Sequence, residues 1–253
     1  MKNIGDRGEV NETLSRYGLF TTGTIDVLTD ICQDVYKLSW FLNNGELVDF
    51  ERPDAYIKIN NEVLIIEHFR IDSYESHPKH GSKLLRNEKA LDDNFARVAK
   101  NTNSIMLSNP IGIMNSYEFF IDNCKTRFQH HYDQIEHYKN RLRSEKIANE
   151  RTVFKVCFLM DEVSPLGTLT HNGEKIVPVN LGRSKVFLDF FSQKPEVDWI
   201  ISAVVMDKGY RPYFFSQAEI LTLRRKTIDY SKYQFLGGNT MRLDIQFPYL
   251  LDE

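Results

Sequence analysis

Asp54 and Glu67 are the residues of this chain whose types and spacing could do chemistry. They lie at the outer ends of two β-rich runs, Ala55 to Ile59 and Val63 to Phe69, separated by Asn60-Asn61, a pair that tolerates the positive φ of a tight two-residue turn. With those asparagines as the turn, pairing follows by counting outward. Ile59 faces Glu62, Lys58 faces Val63, Tyr56 faces Ile65, and Asp54 falls opposite Glu67 on the same face of the sheet. Directly opposed side chains have Cβ atoms about 4.5–5.5 Å apart, so two anions there repel unless a cation or a shared proton intervenes. A hard divalent metal answers that need.

The elements that must hold this pair can be read on either side of it. Val10, Leu14 and Tyr17 recur at helical spacing before a stop at Gly18, with Glu9 and Glu12 at the helix start. A second helical pattern runs from Asp26 through Phe41 and breaks at Asn43-Asn44-Gly45. Glu46 to Phe50 alternates as a short strand leading into Arg52-Pro53 and the hairpin. Lys83 to Ala99 can form a charged helix that Asn101 to Gly112 interrupts. Ser116 to about Asn149 reads as one long helix, on which His131, Gln134, Tyr138 and Arg141 share a face. Thr152 to Met160 and Trp199 to Met206 have the β-branched, apolar make-up of buried strands. Gly167 to Val179 suggests a hairpin around Asn172-Gly173, Lys185 to Phe191 a helix, and Tyr213 to Phe215 a partner for the 199–206 strand. Ser216 and Glu219 stand at capping-box spacing for a helix through Lys226, and the tail after Gly237 reads as extended. His77 and His80, three apart in a polar loop, are better read as loop residues than as a metal site.

Bulk properties narrow the field. The chain of 253 residues, 42% hydrophobic and 26% charged, is long enough to bury a full core, and the expected organisation is one domain over 1–253. No apolar run approaches the roughly 18 residues of a membrane span, and the start lacks the apolar segment of a secretory signal, so a cytoplasmic protein without a membrane partner is expected. Cys32, Cys124 and Cys157 show no metal-binding or disulfide spacing and are expected as buried thiols. A net charge of −3 gives no electrostatic argument for a nucleic-acid partner, although a nuclease needs only a local basic rim.

The order helix, strand, strand-turn-strand with paired acids, long helix, strand resembles the PD-(D/E)XK, or restriction-endonuclease-like, nucleases. Pro53-Asp54, Glu67 at the end of an apolar strand, and Gln134-Ile135-Glu136-His137-Tyr138, which looks like the Gln-x-x-x-Tyr motif of the RecB-like branch, carry the resemblance. It covers a core of about residues 5–160 and leaves 161–253 as a C-terminal elaboration. The fold implied is α/β, a central mixed sheet flanked by helices. The activity implied is metal-dependent hydrolysis of phosphodiester bonds, with DNA as the expected substrate and a homodimer as a possible state. Asp54, Glu67 and the His68 carbonyl would hold Mg²⁺ or Mn²⁺, and Glu9 would join them from the first helix, as a glutamate does in several such enzymes. Gln134 and Tyr138 would position phosphate or the acid cluster, and Arg127, His131, Lys139 and Arg141, with Arg224-Arg225-Lys226, would supply a basic rim.

One position departs from the pattern. The family places a lysine two residues after the glutamate, where this chain has Phe69. Candidate replacements are Arg70 if a β-bulge swings it to the site face, Lys58, or a helix residue such as His131 or Arg141. The alternative reading is a catalytically inactive member of the fold that acts as a nucleic-acid-binding or protein-interaction module. Outside the resemblance, Asp54 can be a turn residue after Pro53 and Glu67 an edge-strand acid facing water.

Overall fold

A computed structural model describes residues 9–16, 35–73, 76–77, 81–82, 106–112, 116–162, 168–171, 175–177, 179–206, 209–230, 234–236 and 240–246. Its centre is a six-stranded mixed sheet, β1 (Leu47–Asp49), β2 (Ala55–Ile59), β3 (Glu62–Ile71), β4 (Val153–Glu162), β5 (Trp199–Met206) and β6 (Gly209–Ser216), laid side by side in chain order. β1, β2 and β3 form an antiparallel meander; β3, β4 and β5 run parallel; β6 returns antiparallel along β5. Parallel neighbours require a crossover rather than a hairpin. From β3 to β4 that crossover carries helices α3 (Tyr117–Tyr132) and α4 (Ile135–Ser144), and from β4 to β5 it carries α5 (Lys185–Phe191).

Burial on both faces explains the unbroken apolar runs in β3 and β4. Leu64 and Ile66 of β3, Cys157 and Leu159 of β4, and Trp199 and Ile201 of β5 lie under α1 (Glu9–Arg16) and α2 (Val35–Asn44), which contribute Val10, Leu14, Leu38, Phe41 and Leu42. The alternate residues, Val63, Ile65, Phe69 and Ile71 with Val156, Phe158 and Met160, pack against Phe120, Cys124 and Phe128 of α3, Tyr138 and Leu142 of α4, and Phe187, Leu188 and Phe191 of α5. Phe128 stands edge-on to Phe158, Phe187, Phe190 and Phe191 at the centre of this layer. Aromatic pairs in that orientation add about 0.5–1.5 kcal/mol each beyond the area they bury.

The chain is therefore α/β with a mixed sheet between helices, and among the described residues no helix is long and apolar enough to cross a membrane. Three sequence expectations are corrected. The segment from Ser116 is two helices, interrupted at Asp133-Gln134, because the Gln134 N–H turns to the His131 carbonyl in a tighter i−3 bond before α4 starts. Met106–Gly112, expected to interrupt a helix, is a strand paired antiparallel with Thr240–Gln246. Ser216 makes no side-chain capping bond, and the segment after it breaks into a 3₁₀ turn, the four-residue helix Ile220–Leu223 and a second 3₁₀ turn, Arg224–Lys226. The second helix is described over Val35–Asn44, and the expected start near Asp26 lies outside the described residues, as do Tyr17, the 83–99 helix and His80.

Candidate functional site

Registry places the two acids together. β2 pairs with β3 as Ile59↔Glu62, Lys58↔Val63, Tyr56↔Ile65 and Ala55↔Ile66, so the next pair outward is Asp54 with Glu67. Asn60 takes the positive φ that the turn requires, at 53°. The acids are also joined through the backbone. The Asp54 N–H donates to Glu67 Oε2 at 3.3 Å, and the His68 N–H donates to Asp54 Oδ2 at 2.8 Å. Asp54 arrives on a short loop whose Arg52–Pro53 peptide is cis and whose Phe50 N–H is held by the Asp54 carbonyl at 2.8 Å.

Glu67 is 5% exposed, and a buried carboxylate needs donors. Two helices bring them to one oxygen. The Tyr138 hydroxyl of α4 donates to Glu67 Oε1 at 2.7 Å, and His131 Nδ1, at the end of α3, lies 2.7 Å from the same atom. The His131 ring lies flat on Phe69, centroids 4.6 Å apart and planes 9° apart, while Phe69 meets Phe158 edge-on at 5.5 Å. Phe69, at the position where the resemblance expects a lysine, is thus an aromatic support for His131. The nitrogen beside Glu67 comes from His131 instead.

The electrostatics show a surplus of negative charge. Burial, and then the neighbouring Glu67, raise the Asp54 carboxyl from 3.8 to about 6, although the His68 N–H and the nearby imidazoles work against the rise. Burial and the charge of Glu67 push the Tyr138 phenol well above its ordinary value, so it remains a protonated donor to Glu67. Two carboxylates held this close favour an added cation or a shared proton.

The remaining expected site residues are distributed as follows. Arg70 does not replace the lysine. β3 pairs with β4 residue for residue from Glu62 to Ile71, so no bulge intervenes, and Arg70 faces away from Glu67 beside Asp161. His68 joins the site through its backbone, its ring turned to the opposite face with Nε2 3.8 Å from Asp161 Oδ2. Lys58 Nζ donates to the Ile147 carbonyl at 2.6 Å, beyond the end of α4. Gln134 is the N-cap residue of α4 and makes no side-chain capping bond; its carbonyl receives the Tyr138 N–H at 3.0 Å. Glu9 begins α1, which packs on the Leu64 and Ile66 face of β3, the side away from Glu67. Arg127 is half-buried on α3. Lys139 is paired with Glu136 at 2.6 Å and Glu196 at 2.8 Å. Arg141 reaches Glu51 at 3.2 Å and lies 5.5 Å above the Phe50 ring, so it braces the loop that presents Asp54. Of the candidate replacements for the lysine, His131 is the one that reaches Glu67, and it does so beside Tyr138, with which it shares a face at a spacing of seven.

Among the described residues no group of three or more His, Cys, Asp or Glu is arranged to hold a metal ion. The pair itself suits an ion that keeps much of its water, since Mg²⁺ is commonly held by one or two carboxylates together with waters and substrate phosphate. The site thus defines a mixed-sheet α/β protein with a charge-loaded acid pair, Asp54 at the entry to its second strand and buried Glu67 on its third. Compared with protein-family models, curated proteins and solved structures, the chain matches none.

Proposed function

We propose that this chain is a metal-dependent nuclease of restriction-endonuclease-like fold that hydrolyses phosphodiester bonds, with DNA as the expected substrate. The observation that carries the reading is His131 Nδ1 at 2.7 Å from Glu67, which gives the Asp54–Glu67 pair a nitrogen despite Phe69. The element order supports it as well: a helix, a three-strand meander, helices and a parallel strand, with the acids near the middle of the sheet.

Asp54 and Glu67 would hold Mg²⁺ or Mn²⁺, which when bound supplies Lewis acidity toward phosphate oxygens. The protein's own part is placement. Tyr138 and His131 fix Glu67 Oε1, and the His68 N–H fixes Asp54 Oδ2, so the other carboxylate lone pairs are presented in one orientation. With Nδ1 held by Glu67 and the ring face held by Phe69, His131 has its second nitrogen left to hydrogen-bond the attacking water or a phosphate oxygen. Phe69 favours a second reading, a non-catalytic descendant that binds nucleic acid or protein through the same surface.

The test is incubation of labelled single-stranded, nicked and duplex DNA with the full chain and Mn²⁺, beside calorimetric titration with Mn²⁺. Cleavage by the wild type that is lost in Asp54→Ala and Glu67→Ala supports the nuclease. Metal binding without cleavage selects the non-catalytic reading, and failure of both sinks the metal site altogether.

A further inference from the structure

We propose that Arg183, Lys185, Arg224, Arg225 and Lys226 form a docking surface for the phosphate backbone of nucleic acid. Two segments far apart in sequence build it. An isolated parallel bridge joins Ser184 to Ile228, and the Ile228 N–H donates to the Arg183 carbonyl at 2.7 Å. This sets Arg183 and Lys185 beside the 3₁₀ turn Arg224–Lys226, and all five side chains are exposed.

Asp189 organises the cluster. Its Oδ2 accepts from Lys185 Nζ at 2.6 Å, and its Oδ1 meets Arg224 Nη2 at 2.5 Å, so one carboxylate pulls a cation of each segment toward the other. Counting Glu219 and Asp229 as well, five cations stand against three acids in a chain whose total is −3. A local excess of cations in an acidic protein is the pattern expected of a backbone-binding rim, because each phosphate contact releases condensed counterions whatever the base sequence.

Contacts place the surface at the end of the sheet toward which β3 runs from Glu67. Just past β3, the Ser73 carbonyl accepts from the Ser116 N–H at 3.1 Å; Tyr117, the next residue, shares a 2.6 Å hydrogen bond with Ser184 Oγ. Ser184 lies between Arg183 and Lys185. A strand held here would run toward the ends of the parallel strands, which is where ligands of open α/β sheets bind. Lys139 and Arg141, expected from sequence as rim residues, are paired with Glu196 and Glu51, as Lys185 and Arg224 are with Asp189.

This inference rests on the nuclease reading for the identity of its ligand, and its test measures binding without cleavage. Fluorescence anisotropy of a labelled 30-nucleotide duplex in EDTA, from low to moderate salt, compares the full-length wild type with Arg183→Gln/Arg225→Gln/Lys226→Gln. A control, Lys37→Gln/Lys146→Gln/Arg151→Gln, removes the same charge from the hairpin end of the sheet. The expected result is roughly tenfold weaker binding for the first variant and a log–log salt slope shallower by about 2–3, at roughly 0.9 per phosphate contact, with the control close to wild type. Equal loss in both variants, or no loss in the first, overturns the surface. Preferential binding to phosphatidylserine vesicles over duplex, lost in the same variant, overturns the nucleic-acid assignment. An absence of cleavage in the earlier assay leaves these outcomes readable, since no turnover is needed.

Discussion

Replacing Asp54 with asparagine should make the protein more stable at neutral pH. The side chain keeps an oxygen to accept the His68 N–H, now at 2.8 Å, and loses only the charge that burial and Glu67 oppose. An acid raised from 3.8 to about 6 binds its proton more tightly in the folded protein than in the unfolded chain. By linkage, its unfavourable contribution is absent below about pH 4, grows as pH rises, and is complete above about pH 6. At roughly 1.4 kcal/mol per pH unit the full effect is about 3 kcal/mol, an upper figure because water still reaches part of Asp54. For a chain of this length that corresponds to about 6–10 °C in Tm. The assay is calorimetric melting of wild type and Asp54→Asn in EDTA from pH 4 to 8. The two curves should converge near pH 4 and separate with the variant higher at pH 7.5. Added Mg²⁺ should then raise the wild-type Tm at pH 7.5 and leave the variant nearly unchanged. Curves that stay parallel from pH 4 to 8, or a variant that melts lower at pH 7.5, would refute the reasoning.

Tyr138→Phe removes one donor from Glu67 Oε1, and urea unfolding should show a loss of about 1–3 kcal/mol together with weaker Mn²⁺ binding in calorimetry. Phe69→Ala removes the ring on which His131 rests; a loss of about 3–5 kcal/mol in the same unfolding assay is expected, and a loss below 1 kcal/mol would contradict the stacking seen here. Gly45→Ala puts a Cβ 2.1 Å from Ile57 Cγ2, so Tm should fall by the equivalent of about 1–3 kcal/mol, measured by circular dichroism. Cys124 and Cys157 are buried, and burial pushes the Cys157 thiol well above its ordinary value; mass spectrometry after iodoacetamide treatment of the folded protein should find neither alkylated.

The hairpin was readable from sequence because its signals are local. Two short β-rich runs and the asparagine pair between them fix both the turn and the register within a few residues. The strands from Val153 and Trp199, and the helix Lys185–Phe191, were readable for the same reason: one uninterrupted pattern each. The break between α3 and α4 was hidden because the apolar spacing continues through it, from Phe128 to Ile135, Tyr138 and Leu142, with no Gly or Pro at Asp133-Gln134. Pro110 disguised the strand Met106–Gly112, whose partner lies near the far end of the chain. The acid pair was legible as facing residues, and Tyr138 and His131 were legible as candidates to serve it, but their convergence on one oxygen of Glu67 was not. Residue spacing put His131 and Tyr138 on one face, but which oxygen they meet depends on how two helices dock across the sheet.

The convergence of α3 and α4 on a single oxygen also orders assembly. The hairpin closes across only a few residues, whereas the donors to Glu67 come from 64 and 71 positions further along the chain. Loop-closure entropy makes the near contact the faster one. A chain with β2 and β3 paired but neither helix docked has the Asp54 N–H on Glu67 Oε2 but leaves Oε1 to water, because covering it would strand that oxygen without its donors. The native contacts thus couple burial of Glu67 Oε1 to both helices at once, since each supplies one of its donors.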